Sequence, residues 1–232
     1  MNTVSTPTHP ATTTNSHPRA ARKSPPDAAP VRSRYLSFDA FLRRDFGERH
    51  VEWAGGKVID MSPVLSYHAD MSRFFIAALT TFVEVRQLGK IYAEPYLMRC
   101  TDQLPARCPD ILFVKSENQN RILREYLDGP ADLVIEIVSE ESRARDRGAK
   151  FNEYETGGVG EYWIIDPARN RAEFYRRDDG GVFRIQTPTT DAAGNESYDC
   201  ATIPGVTIRL DWLWQRPMPS VTEPLRAWGI LP

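Results

Sequence analysis

Thiol and imidazole chemistry are scarce in this sequence. Three cysteines, Cys100, Cys108 and Cys200, are irregularly spaced in 232 residues, which fits neither a disulfide framework nor a CxxC ligand pair. Of four histidines, His9 and His17 lie in a polar N-terminal stretch, leaving only His50 and His68 in the body. A histidine-rich zinc site is therefore not expected. No apolar run approaches the roughly 20 residues that span a bilayer, and the N-terminal stretch has no apolar segment of the secretory type. The expectation is a cytoplasmic protein with no membrane partner. There is no GxxxxGK[ST] loop, no glycine-rich strand-to-helix turn and no internal repeat. A charge excess is missing too: 29 Lys+Arg against 31 Asp+Glu leave −2, which excludes a polycationic coat for nucleic acid.

That small sum hides unlike parts. Residues 1–33 are dominated by Thr, Ser, Pro and Ala and carry Arg19, Arg22, Lys23 and Arg32 against Asp27, a charge of +3, which leaves −5 for the remainder. Such a segment cannot bury enough apolar surface to offset its ordering entropy, and a disordered tail is expected. A domain is expected over residues 34–216, with 217–232 a C-terminal extension packing on it.

Periodicity places the elements. Ser37 is a candidate N-cap for a short helix presenting Phe38, Phe41 and Leu42 and ending near Gly47. Val51–Trp53 and Lys57–Met61 flank Ala54-Gly55-Gly56, a hairpin signal. Met71, Phe74, Phe75, Ala78, Phe82 and Val85 recur at helical spacing within 67–88, with Gly89 as the expected stop. Ile91–Arg99 reads as a strand interrupted by Pro95. Ile111–Val114, Asp132–Val138 and Tyr162–Ile165 read as buried strands. A helix is expected from about Ser142 to Thr156, stopped by Gly157-Gly158, and two further strands at Ala172–Arg177 and Val182–Ile185. Trp212, Leu213, Trp214 and Trp228 are expected to close the fold as a lid of short helices. The order indicates α/β content of the α+β kind, with a bent, mixed sheet flanked by helices rather than a doubly wound one.

Carboxylates stand where buried strands should be apolar. Period-2 alternation puts Glu136 on one face with Val134 and Val138, and Leu133, Ile135 and Ile137 on the other. Desolvating an ion there costs several kcal/mol unless something compensates it. Asp110 sits at the entry to the 111–114 strand, and Glu52 lies between Val51 and Trp53. Three carboxylates from three strands can converge on a hard cation, Mg²⁺ or Mn²⁺ rather than zinc. Asp110 as a turn cap after Pro109, and Glu52 as a solvated hairpin acid, are the plainer alternatives.

Lys150, on the helix after the Glu136 strand, is the candidate complement. In metal-dependent phosphodiester hydrolysis a cationic side chain positions the attacking water and offsets charge developing on the phosphorane. The alternative for Lys150 is an exposed i,i+4 pair with Asp146. Arg143, Arg145 and Arg147 could grip a phosphate backbone or form a solvated helix face.

The same residues carry a family resemblance. Val51-Glu52-Trp53-Ala54-Gly55-Gly56-Lys57 with Met61-Ser62-Pro63 and His68 resembles the opening of the Uma2 family (domain of unknown function 820). So do Pro109-Asp110 with the following Ile-Leu-Phe-Val, residues 130–139 around Glu136, Arg145 through Tyr154, and Glu161 through Pro167. The similarity spans roughly residues 35–216. It implies a restriction-endonuclease-like PD-(D/E)xK core in a family described as candidate Mg²⁺-dependent endonucleases. On that resemblance Asp110 matches the PD aspartate, Glu136 the (D/E) position, Glu52 an early acidic position and His68 the histidine opening the long helix. Val138 stands where the superfamily pattern wants lysine, which would pass that role to Lys150. Gly55 replaces the usual acid of the hairpin, and Ala149 replaces the glutamate that commonly precedes the lysine.

The expected function is Mg²⁺- or Mn²⁺-dependent hydrolysis of nucleic acid, with DNA as partner. Asp110, Glu136 and Glu52 would bind metal, Lys150 orient the nucleophile and His68 assist. By analogy with small nucleases of this fold, a homodimer could cut both strands. The alternatives are a catalytically silent nucleic-acid-binding or interaction module of the same fold, and a hydrolase of small phosphate esters.

Overall fold

The computed structural model describes residues 35–61, 65–140 and 142–232. The expected N-terminal tail and the Ser62-Pro63 part of the opening motif lie outside the described residues. Ser37 caps α1 (Phe38–Leu42), its hydroxyl accepting from the Ala40 amide. β1 (Val51–Ala54) and β2 (Lys57–Asp60) form the expected hairpin. α2 (Ser66–Val85) follows, and buries Met71, Phe74, Phe75, Ala78, Leu79, Phe82 and Val83 on one face. It stops short of Gly89 because Gln87 takes the left-handed conformation (φ 54°) and turns the chain. Gly89 instead opens a strand, where a Cβ would lie 2.1 Å from the Val114 carbonyl oxygen.

The strand expected across Pro95 is two strands in different sheets, β3 (Gly89–Ala93) and β4 (Leu97–Arg99). β5 (Ala106–Arg107), β6 (Ile111–Lys115), β7 (Tyr126–Asp128) and β8 (Leu133–Ile137) complete the middle of the chain. The expected 142–156 helix is likewise two, α3 (Arg143–Asp146) and α4 (Ala149–Gly157), broken at Arg147-Gly148. Gly148 is required at the break, since a Cβ there would lie 2.7 Å from the Ala144 carbonyl oxygen. β9 (Glu161–Asp166), β10 (Arg171–Arg177) and β11 (Phe183–Gln186) follow. The sequence reading missed the next three strands, β12 (Thr189–Thr190), β13 (Glu196–Asp199) and β14 (Thr207–Arg209). They are short and mostly polar, so neither length nor alternation marks them. α5 (Leu210–Trp214) and α6 (Thr222–Ala227) end the chain.

The central sheet has the order β11-β10-β9-β8-β6-β3. Its one parallel pair is β8–β9, joined by the crossover through α3 and α4, as a parallel connection requires. Its two faces bury different clusters. Ile111, Phe113, Leu133, Ile135, Ile137, Trp163 and Ile165 pack against α2 and the C-terminal segment, where Trp212, Leu213, Leu225 and Trp228 join the same core. Leu112, Val114, Val134, Val138, Tyr162 and Ile164 face the other way, toward Tyr154 of α4. A second sheet, ordered β2-β1-β5-β4-β7, carries Trp53, Leu97 and Ala106 into a smaller core with Phe38 and Phe41. The architecture is the mixed, helix-flanked α+β fold expected from the sequence. No helix among the described residues is long and apolar enough to cross a membrane.

Candidate active site

Strand register assembles the site. β6 and β8 are antiparallel with Ile111 opposite Ile135 and Leu112 opposite Val134. Continuing that register by one residue puts Asp110 opposite Glu136, on the α4 side of the sheet. The Ile137 amide donates to Asp110 Oδ2 at 2.6 Å, so the carboxylate is fixed from the strand across. In the second sheet Trp53 pairs with Ala106, and the same step puts Glu52 opposite Arg107.

Lys150, in the first turn of α4, descends on Glu136. Its Nζ donates to Glu136 Oε1 at 2.9 Å, and the Tyr154 hydroxyl donates to the same oxygen at 2.8 Å. Nζ also lies 3.4 Å from Asp146 Oδ1 and 3.8 Å from Glu52 Oε1. One ammonium therefore faces three buried carboxylates. Burial opposes the Lys150 charge, but Glu136, Glu52, Asp146 and Asp110 outweigh it and raise its pKa. Burial raises Glu136 well above the usual carboxyl range, Lys150 opposes the rise, and Asp110 and Asp146 add to it. The exposed Asp146–Lys150 pair considered from the sequence is corrected: both side chains are inside, at 1% and 2% exposure.

Asp110 is the more open of the two strand carboxylates, at 12% side-chain exposure. His68 Nε2 lies 3.2 Å from its Oδ2, and Ser72 Oγ lies 3.4 Å from His68 Nδ1. Burial opposes the imidazolium, but the hydrogen bond and charge of Asp110, with Glu94 beyond, leave the His68 pKa raised. A cavity of about 480 Å³ opens beside them, lined by His68, Ser72, Arg73, Ala93, Glu94 and Asp110 among others. Burial and the Asp110 charge raise the Glu94 pKa.

Two groups of expected site residues sit in surroundings other than those read from the sequence. Glu52 does not stand open to a metal. It is fully buried, with Oε1 accepting from the Cys108 amide at 3.1 Å and Oε2 from Arg107 Nη1 at 3.0 Å. Arg107 in turn forks onto Glu153 at 2.7 and 2.8 Å. Nor are the three arginines equally free of partners. Arg143 and Arg147 both bond Asp166 Oδ2, and Arg147 also bonds Glu173. Asp166 is wholly buried, so these guanidiniums compensate it. Arg145 makes no ion pair among the described residues.

Tyr154 and Arg107 are site residues that the sequence reading missed, and Asp146 was read only as an exposed partner of Lys150. Asp146 and Tyr154 lie four residues either side of Lys150, which is same-face spacing. Reading that face as buried would have found them. Arg107 carries no comparable signal, because only the pairing of β1 with β5 brings it to Glu52.

The donor set suits a hard cation. Neither Asp110 Oδ1 nor Glu136 Oε2 accepts a hydrogen bond from a described residue. Among the described residues no three His, Cys, Asp or Glu side chains are grouped closely enough to enclose an ion. Mg²⁺ is commonly held by one or two carboxylates with water completing the shell, which this pair can provide.

The family model described as "Uma2: Putative restriction endonuclease" matches residues 38–211, a span that contains every residue of this site. A crystal structure described as "a putative nuclease belonging to DUF820", from Anabaena variabilis ATCC 29413, is similar with a TM-score of 0.60. The identity is 16%, and the match covers 77% of this chain and 97% of that one. At that identity the likeness is one of fold. No curated protein matches.

Proposed function

The chain belongs to the Uma2 family, and from that premise we propose that it is a nuclease hydrolysing phosphodiester bonds of nucleic acid, DNA foremost, with Mg²⁺ or Mn²⁺ as cofactor. The observation that carries this reading is that the β6–β8 register, continued one residue, brings Asp110 opposite Glu136, each with one oxygen that accepts no hydrogen bond from a described residue, with Lys150 on Glu136. Asp110 and Glu136 would hold the cation. When bound it supplies Lewis-acid polarisation of the phosphoryl group and offsets charge on the phosphorane.

The remaining roles belong to the chain's own groups. The Ile137 amide and His68 hold the Asp110 carboxylate in one orientation, and Tyr154 does the same for Glu136. Lys150 keeps its proton among the carboxylates, orients the attacking water and stabilises developing negative charge. Glu52 acts one step back, by holding Arg107 and facing Lys150. Arg145 is the arginine of its cluster left to contact a phosphate backbone. A homodimer would bring two such sites to the two strands of a duplex, and sedimentation with and without duplex DNA checks it.

The test is incubation of end-labelled single-stranded and duplex DNA with the full chain in Mg²⁺, Mn²⁺ or EDTA. Cleavage with metal and none in EDTA supports the proposal; no cleavage of either substrate with either metal overturns it. One observation favours a second reading, a silent nuclease-fold module: Lys150 already occupies a Glu136 oxygen, and among the described residues no three-ligand group is drawn together. That reading expects DNA binding without cleavage and a melting temperature indifferent to Mg²⁺.

A further inference from the structure

The carboxylate of Asp146 is the least satisfied polar group in the site. It is 1% exposed, and neither oxygen accepts a hydrogen bond of normal geometry from a described residue. Ser142, one turn earlier, is close enough for its hydroxyl to favour the charged form, but burial dominates and raises the Asp146 pKa. Lys150 Nζ is 3.4 Å from Oδ1, within ion-pair range, while its hydrogen bond goes to Glu136 at 2.9 Å. A buried carboxylate without a hydrogen bond is costly, so a fold that keeps one uses it in another state or sustains a loss.

Such a state follows from the geometry. Glu136 Oε1 accepts from both Lys150 and Tyr154, which leaves Oε2 as the oxygen a cation would take. A divalent cation on Glu136 would repel an ammonium bonded to the same carboxylate, and the ammonium needs a second acceptor nearby. Glu52 is committed to Arg107 and Cys108 and lies farther off, at 3.8 Å. Asp146 is nearer, at 3.4 Å, and its oxygens accept no hydrogen bond of normal geometry from a described residue. We propose that Asp146 is a positioning residue: it receives the Lys150 ammonium when a divalent cation takes Glu136, and so sets where Lys150 stands beside the reacting phosphate. This rests on the reading of Asp110 and Glu136 as the cation site.

The shift needs no large motion. Asp146 and Lys150 lie on either side of the Arg147-Gly148 break, and a change in the Lys150 side chain alone exchanges one carboxylate for the other. Asp146 therefore acts through Lys150 and touches neither cation nor substrate.

The test is Mn²⁺ binding by calorimetry to the full chain, with melting temperatures measured with and without Mn²⁺. The proteins are wild type, Asp146→Asn, Lys150→Met and the double variant. Losing an outer partner of a metal site typically weakens affinity 10–100-fold. Asp146→Asn is expected to raise the Mn²⁺ Kd about tenfold. Its metal-free melting temperature should be unchanged or higher, because an unsatisfied buried charge is gone. In the Lys150→Met background the same substitution should leave the Kd unchanged, since the two residues act as a unit. A merely structural Asp146 gives the reverse, a lower metal-free melting temperature with an unaltered Kd, and overturns the proposal. Equal effects of Asp146→Asn in both backgrounds overturn it too. Wild type that binds no Mn²⁺ overturns the cation site itself, an outcome distinct from wild type that binds and a variant that binds equally well.

Discussion

Lys150 Nζ lies 2.9 Å from Glu136 Oε1, with both side chains sealed between α4 and the central sheet. Removing one partner of a buried ion pair leaves an uncompensated charge and typically costs about 3–5 kcal/mol. Lys150→Ala is expected to destabilise the chain by that order at pH 8. Without the ammonium, the already raised pKa of Glu136 rises further. A carboxyl raised on folding costs nothing below its unfolded pKa, and its penalty grows as pH climbs from there toward the folded one. The deficit should therefore shrink between pH 8 and pH 5.5, as read by urea unfolding at both values.

Arg107 joins the second sheet to the site by bonding Glu52 and forking onto Glu153. Arg107→Lys keeps the charge but loses the planar fork. It is expected to lower the melting temperature almost as much as Arg107→Ala. Full rescue by lysine in thermal unfolding would show that charge alone matters there.

The three arginines after β8 should separate by function. Arg143 and Arg147 are bound to Asp166, and Arg145 is not. Arg145→Ala should reduce the salt slope of DNA binding by about one charge, with little effect on stability. Arg147→Ala should do the opposite. Fluorescence anisotropy across a salt series, with melting curves, reads both.

Residues 217–232 pack into the main core. Trp228 meets Phe82 edge-on at 5.5 Å and its indole N–H donates to the Thr207 carbonyl at 2.8 Å. Trp228→Ala is expected to cost about 3–5 kcal/mol, the usual range for emptying a buried aromatic site. Chemical unfolding measures it, and a change below about 1 kcal/mol would mean the segment is not part of the cooperative unit.

The main elements were legible where burial imposes a period. The apolar face of α2, apart from the exposed Val85, and the runs at 111–114 and 132–138 could be placed because one or both of their faces must avoid water. Glu136 stood out for the same reason, as an ion in an apolar run, and the face assigned to it from alternation is the one that α4 covers. What was not legible depended on partners distant in sequence. The burial of Glu52 depends on Arg107, which reaches it only through the β1–β5 pairing. Arg143 and Arg147 look like a solvated basic face until Asp166 and Glu173 arrive from β9 and β10. The break at Gly148 and the small β12–β14 sheet had no apolar period to announce them.

The most direct test of Asp110 and Glu136 as the reactive centre is plasmid nicking in Mn²⁺, comparing wild type with Asp110→Asn and Glu136→Gln at matched folded concentration. Both substitutions are near-isosteric, and neither adds charge to the buried cluster. The expected result is metal-dependent nicking by wild type that falls at least about a hundredfold in each variant, the scale seen when a transition-state contact is removed. Equal nicking by wild type and both variants would contradict it.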